Sequence, residues 1–358
     1  MTELAHKLRT LRAALTAAGL AAIRLRGVDW FAWATAGGSS AVLLTSERGV
    51  AELLVTLDEA WVLCDDIEAA RLQAEELPDG WTVWSHPWAA PGLREAFVTR
   101  RCVGVVASDL PAAGEQPLSA ALQVARWSLG PAEVDRYRAL GHETAVAMSE
   151  VLGAARPEWS GHQLAGASAE ALWGRGIHPA LVLVGEARRL PLYRHPTPSR
   201  EPIGSRVMLV FCARRHGLYA NLTRLLYFRP QTAEEREASE IVAEVEADAF
   251  DASRPGASLG EVFAAIVAGY ARAGRPGAEA GHHQGGPCGY LSREAVARPD
   301  DPQTLVEGGA VAWNPSLPGA KIEDTVLVRA GGLEILTVDP DWPSVQVRGR
   351  ARPAVLER

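Results

Sequence analysis

Two adjacent histidines, His282 and His283, stand in the glycine-rich run Gly281-His282-His283-Gln284-Gly285-Gly286-Pro287-Cys288-Gly289-Tyr290. Imidazole titrates near neutrality, so such a pair can serve as general acid and base. The glycines let backbone approach closely where a bulky side chain would block it. Further on, Asn314-Pro315 makes a turn, and Lys321-Ile322-Glu323-Asp324-Thr325 leads into the apolar run Val326-Leu327-Val328. Glu323 and Asp324 read as one buried carboxylate and one structural partner. A third imidazole, His195, lies in Tyr193-Arg194-His195-Pro196, where Arg194 offers a fork for a carboxylate. Arg224 has two uses open to it, as a partner for the acid pair or as a second carboxylate fork. Cys288 sits close enough in the chain to the histidines to invite a Cys–His nucleophile, but no third group that would orient them is identifiable.

These residues need a scaffold, and the periodicity supplies one in two parts. Leu4, Leu8, Leu11 and Leu15 recur at helical spacing with Gly19 as a stop. Short apolar runs then predict strands at 20–23, 41–44, 53–56 and 60–63, with Glu47-Arg48-Gly49 as the turn between the second and third. A helix is expected over 66–77, a strand over 102–106 and a helix over 117–125. Alternating strands and helices indicate an α/β N-terminal domain over residues 1–127. Trp30, Trp33 and Trp61 read as core aromatics. Pro131, with Glu133 and Asp135 just inside, opens a long helix and a second domain over residues 131–358. Ser160, Thr232 and Ser258 are N-caps of further helices. Val207–Phe211 and Leu218–Tyr227 form a hairpin through Arg214-Arg215-His216-Gly217, where the arginines read as solvated.

Composition narrows the class. The 358 residues are 47% hydrophobic and 22% charged, with a net charge of -7, which argues against nucleic acid or an anionic membrane as partner. No apolar run reaches the length of a membrane span, and the N-terminus lacks an apolar signal core, so a cytoplasmic protein is expected. The four cysteines lack CxxC spacing, against a disulfide framework or structural zinc. Of 36 basic residues only Lys7 and Lys321 are lysines. That reads as the mark of a GC-rich genome, without mechanistic weight.

The order of these patterns resembles the creatinase / aminopeptidase P / prolidase / methionine aminopeptidase superfamily. The likeness rests on the helix pair, the hairpin ending Asn221-Leu222-Thr223-Arg224, the Arg254-Pro255-Gly256-Ala257-Ser258 turn, a His-x-x-Gly element, the Asn-Pro turn and Ile322-Glu323-Asp324-Thr325. It implies an α+β pita-bread C-terminal domain behind a smaller creatinase-type N-terminal domain, in a homodimer. Metal-dependent relatives hold two divalent ions with two Asp, one His and two Glu. Here those positions fall on Val210, Asn221, His283, Asn314 and Glu323. His282 also begins a His-x-x-Gly, and His283 is preferred because Tyr290 then stands where a second family histidine would be. One carboxylate and one imidazole cannot offset two dications, so no metal and no cofactor is expected.

Two functions remain. One is a metal-free, creatinase-like C–N hydrolase acting on a small amide, dipeptide or guanidino substrate. His195 or His283 would move the proton and Glu323 would hold a cationic or N–H group. His282, Arg194, Arg224, Asn221, Tyr290 and Asn314 would bind the substrate. The other is a non-catalytic member that binds a small ligand or serves as a dimeric scaffold.

Overall fold

The computed structural model describes residues 2–358 and divides into two compact units. One ends at Glu133 and takes in His216–Leu218; the other comprises Val134–Arg215 and Tyr219–Arg358. The first contains a six-stranded mixed sheet in the order β4-β3-β2-β1-β5-β6. Its strands are β1 (Ala22–Gly27), β2 (Arg48–Val55), β3 (Ala60–Asp65), β4 (Thr82–His86), β5 (Val106–Ser108) and β6 (Gln116–Pro117). Strands β1, β2 and β3 pair antiparallel, while β4, β5 and β6 join parallel.

Three sequence expectations fail in this unit. The strand expected over 102–106 begins only at Val106, and Val103 and Val105 are exposed. Residues 41–44 are not a strand, and Val42, Leu43 and Leu44 are exposed. The chain enters β2 at Arg48, which pairs with Gly27 across a register shift. Gly49 therefore lies in the strand rather than in a turn; a Cβ there would sit 2.0 Å from the Ser40 hydroxyl. Nor is 66–77 one regular helix. It breaks into a short α turn at Ala69–Arg71 and a π turn at Leu72–Glu76.

The second unit repeats one pattern twice, a helix pair followed by a sheet. Helices Pro131–Ala154 and Gly161–Trp173 precede β7 (His178–Glu186), β8 (Arg206–Arg215) and β9 (Leu218–Tyr227). Helices Ala233–Ala252 and Leu259–Arg272 precede β10 (Gly285–Cys288), β11 (Ala310–Trp313), the small hairpin β12 (Ser316–Leu317) and β13 (Ala320–Lys321), β14 (Asp324–Arg329) and β15 (Gly332–Ile335). The hairpin of β16 (Ser344–Val347) and β17 (Arg350–Pro353) and the edge strand β18 (Leu356–Glu357) follow. The two four-stranded sheets run β18-β9-β8-β7 and β10-β11-β14-β15. This is the pita-bread arrangement of an α+β domain.

Three helix starts are fixed by reciprocal caps. Ser160 with Gln163, Thr232 with Glu235 and Ser258 with Glu261 each form a capping box, satisfying backbone N–H groups that a helix start leaves open. The sheets meet along β9. The Thr223 amide donates to the Glu323 carbonyl at 3.0 Å, and the Asn221 amide donates to the Thr325 hydroxyl at 2.8 Å. That seam brings the hairpin motif and the Glu-Asp pair together.

Candidate functional site

The site gathers where the two sheets meet, and a buried glutamine locks its loops. Gln284 is fully buried and donates to the carbonyls of Glu279 and His282. Its own carbonyls take the Tyr270 hydroxyl at 3.3 Å and the Asn314 amide at 3.1 Å. The histidine loop and the Asn-Pro turn are thus tied through one residue. Gly285 follows with φ +98°, and a Cβ there would lie 2.1 Å from the Ala312 carbonyl oxygen. Only glycine allows this approach of strand to strand.

His195 reaches the same place from the loop between β7 and β8. Its Nε2 lies 2.9 Å from the Nε2 of His282. His282 stacks on His283 with ring centroids 4.3 Å apart, and His195 lies 4.7 and 5.7 Å from the two. Burial, reinforced by the Lys321 charge, brings His282 down to about 3; burial and the Arg293 charge bring His283 down to about 4. His195 is lowered by the same burial. At neutral pH His282 and His283 are therefore uncharged.

Glu323 differs from its sequence expectation. It was expected to offer a free carboxylate to a substrate cation, but both its oxygens are taken. Lys321 Nζ lies 2.8 Å from one, which also accepts from the Thr223 hydroxyl at 3.0 Å, and Arg293 lies 2.5 Å from the other. Burial would raise this carboxyl, but the two cations pull it down to about 2. No hydrogen bond joins it to a histidine; its field still reaches all three rings.

Arg224 is also reassigned. Its nitrogens donate to the Thr223 and Thr337 carbonyls and to Asp324 at 2.8 Å, which leaves no fork for a substrate. Asp324 takes a second cation, Arg352, at 2.6 Å, and Arg352 holds Glu246 through two bonds of 2.7 and 2.8 Å. The Cys–His nucleophile fails as well. Cys288 is buried at 3.5 Å from the Tyr137 hydroxyl, and burial pushes its thiol up to about 11.

The remaining expected residues fall into two groups. Asn221 and Asn314 are buried, and the side-chain oxygen of each lacks a hydrogen-bond partner. Arg194 is half-buried, forms no ion pair, and has its pKa lowered by burial. It lies over Gly281, where a Cβ would come 3.8 Å from its Nη2. Tyr290 is fully buried, with its amide on Glu294. Val210 is buried on β8, two residues from the half-buried Cys212. Sequence reasoning missed Lys321 and Arg293, the two cations against Glu323. The signal for Lys321 was its rarity, because both lysines of this chain are buried in ion pairs.

A cavity of about 520 Å³ lies elsewhere in the unit, between helix Ala233–Ala252, β9 and the β16–β17 hairpin. It shares Thr223 and Lys321 with the site, but no imidazole or thiol lines it. Size alone does not make it the reactive centre, since the groups able to move a proton lie at the histidines.

Comparison with known proteins agrees with this architecture. Xaa-Pro dipeptidase from Bacillus anthracis superposes with a TM-score of 0.81 at 18% identity, covering 99% of this chain and 100% of that one. Dipeptidase PepE from Mycobacterium ulcerans gives 0.74 at 21% identity over 99% and 98%. The N-terminal domain of FACT complex subunit SPT16 from Cicer arietinum gives 0.70 at 11% identity over 94% and 96%. A curated relative, agropine synthesis cyclase from Rhizobium rhizogenes, is 33% identical over 115 residues, which span 30% of this chain and 29% of that protein. No helix among the described residues is long and apolar enough to cross a membrane. The pattern of metallopeptidase family M24 matches residues 135–330, more than half of the chain, and the protein belongs to that family.

Proposed function

We propose that this protein is a hydrolase of a small amide or short peptide bearing a carboxylate, and that it works without the two-ion centre of its family. The observation that carries the reading is the state of Glu323. Two side-chain cations, Lys321 and Arg293, already hold the carboxylate that would have to face metal ions. Val210 offers no donor, and Asn221 and Asn314 offer only neutral oxygens. Two dications do not fit beside two fixed cations and one neutralised carboxylate. With Arg194 also present, the charged groups sum to a positive pocket, which suits an anionic ligand.

The chain's own groups suffice for a plain scheme. Arg194 holds the substrate carboxylate by charge-assisted hydrogen bonds. The side-chain amide of Asn314, free of other partners, orients the scissile carbonyl. A neutral imidazole of the His195–His282 pair takes the proton from water as it adds, and the protonated pair then delivers it to the leaving nitrogen. Glu323 keeps Lys321 and Arg293 in place and is a positioning residue. A homodimer is part of the proposal and is checked by light scattering.

A panel of small carboxylated amides, Xaa-Pro dipeptides and guanidino acids, assayed with and without EDTA, tests the reading. Turnover that survives EDTA and is lost in His195→Asn supports it; turnover that needs two equivalents of Mn or Co overturns it. Binding without turnover would leave the pocket as a ligand-binding site. The partial identity to a protein named as a cyclase favours a second reading. The same pocket would then join an internal nucleophile to a carboxylate with loss of water, and mass spectrometry of the product separates the two directions.

A further inference from the structure

We infer that His195, His282 and His283 form a binding site for one borderline transition-metal ion, with zinc, cobalt, nickel or copper as the class. One ring nitrogen from each histidine lies within 4.8 Å of the other two, and the closest pair is at 2.9 Å. Three imidazoles on a tetrahedral ion, with bonds of about 2.0–2.1 Å, have nitrogens about 3.3 Å apart. The present spacing brackets that value, so small rotations of the rings close it. Two further observations point to a ligand. The Nδ1 atoms of His282 and His283 are buried without a hydrogen-bond partner, an arrangement buried polar groups rarely keep. The loop carrying them is also fixed rather than draped, because Gln284 clamps the His282 carbonyl at 2.6 Å and Tyr270 clamps Gln284.

This is a different site from a two-ion carboxylate centre. Its donors are all nitrogen, and Glu323 makes no bond to any of the rings. All-imidazole donors favour zinc, copper, nickel or cobalt over magnesium, calcium or manganese. Three ligands leave a fourth position open, and the nearby cations Lys321 and Arg194 favour an anion there, whether chloride, hydroxide or a ligand carboxylate. Where the histidines move protons as proposed above, the ion occupies the lone pairs that transfer needs. Binding is then inhibitory.

Titration of the metal-stripped protein with cobalt(II), followed by visible absorption, tests this directly. One equivalent with the intense bands of a tetrahedral ion is expected. His195 is exposed, so His195→Asn folds, and it should weaken binding at least ~10-fold. Asn314→Ala lies outside the three imidazoles and should leave the affinity unchanged. No binding, or binding unaffected by His195→Asn, overturns the inference and leaves the proposed hydrolysis standing. Two equivalents dependent on Glu323 overturn the inference and the proposed function together. In the activity assay, micromolar zinc should inhibit the wild type, with EDTA restoring the rate.

Discussion

Glu323 and Asp324 are chain neighbours at the start of one strand, both buried, both beside two cations, yet they belong to different kinds of region. Asp324 sits in a closed network. Arg224, Arg352, Thr337 and Glu246 satisfy one another, with Arg352 packed over the Phe250 ring at 5.1 Å. Glu323 faces a region left unfinished. Around it two asparagine oxygens and two imidazole nitrogens are buried without partners, and Arg194 has no acid. Burial is alike on the two sides, but completeness is not. A buried polar network that closes on itself holds a fold, and one that stays open keeps donors and acceptors to give to water, an ion or a ligand.

Four measurements would break or sharpen that contrast. Arg352→Met should be the most damaging, because it strands Glu246 without a counter-charge and leaves Asp324 with Arg224 alone. A loss of about 3–5 kcal/mol in urea unfolding is expected, with ligand affinity of the folded protein unchanged. The next effect is pH-dependent. The Glu323 carboxyl is held at about 2, below its ordinary 4.5. A depressed carboxyl contributes stability in full above 4.5 and loses it as pH falls toward 2. Its share is about 3 kcal/mol, and Lys321→Met should move the loss to higher pH in urea curves taken between pH 6 and 3. Arg194→Met should weaken a carboxylated ligand ~10–100-fold by calorimetry, with stability changed by no more than about 0.5 kcal/mol. Smallest in stability is Asn314→Leu, where replacing an unpartnered amide should shift unfolding by less than about 1 kcal/mol while turnover drops. An Arg194 variant that unfolds readily, or an Arg352 variant that does not, would erase the distinction between the two regions.

Much of the fold was legible. The three capping boxes announce their helices through residue types three positions apart in the chain, and the ordered motifs of the second unit carry the pita-bread arrangement. The run at 41–44 misled because an apolar tetrapeptide reads as a buried strand, whereas these side chains face solvent and Gly49 continues the strand beyond them. At the site, the family resemblance implied that His195 faces the same pocket as the histidine pair, and the rings do meet. Arg224 was read two ways, and the pairing with the acid pair is the one found, while the substrate fork is not. Thr223 bridges Glu323, and side chains alternate along a strand, so Thr223 and Glu323 share one face and Arg224 and Asp324 the other. Arg293 and Arg352 were not readable. Each comes from a loop or hairpin with no motif, and only the folded chain brings them to the acid pair.

The lysine and arginine that hold Glu323 also entrench it. Removing either cation alone leaves a buried acid short of charge, and removing the acid leaves two cations facing each other without it. The three groups therefore tolerate change only together, which makes this corner of the pocket slow to vary.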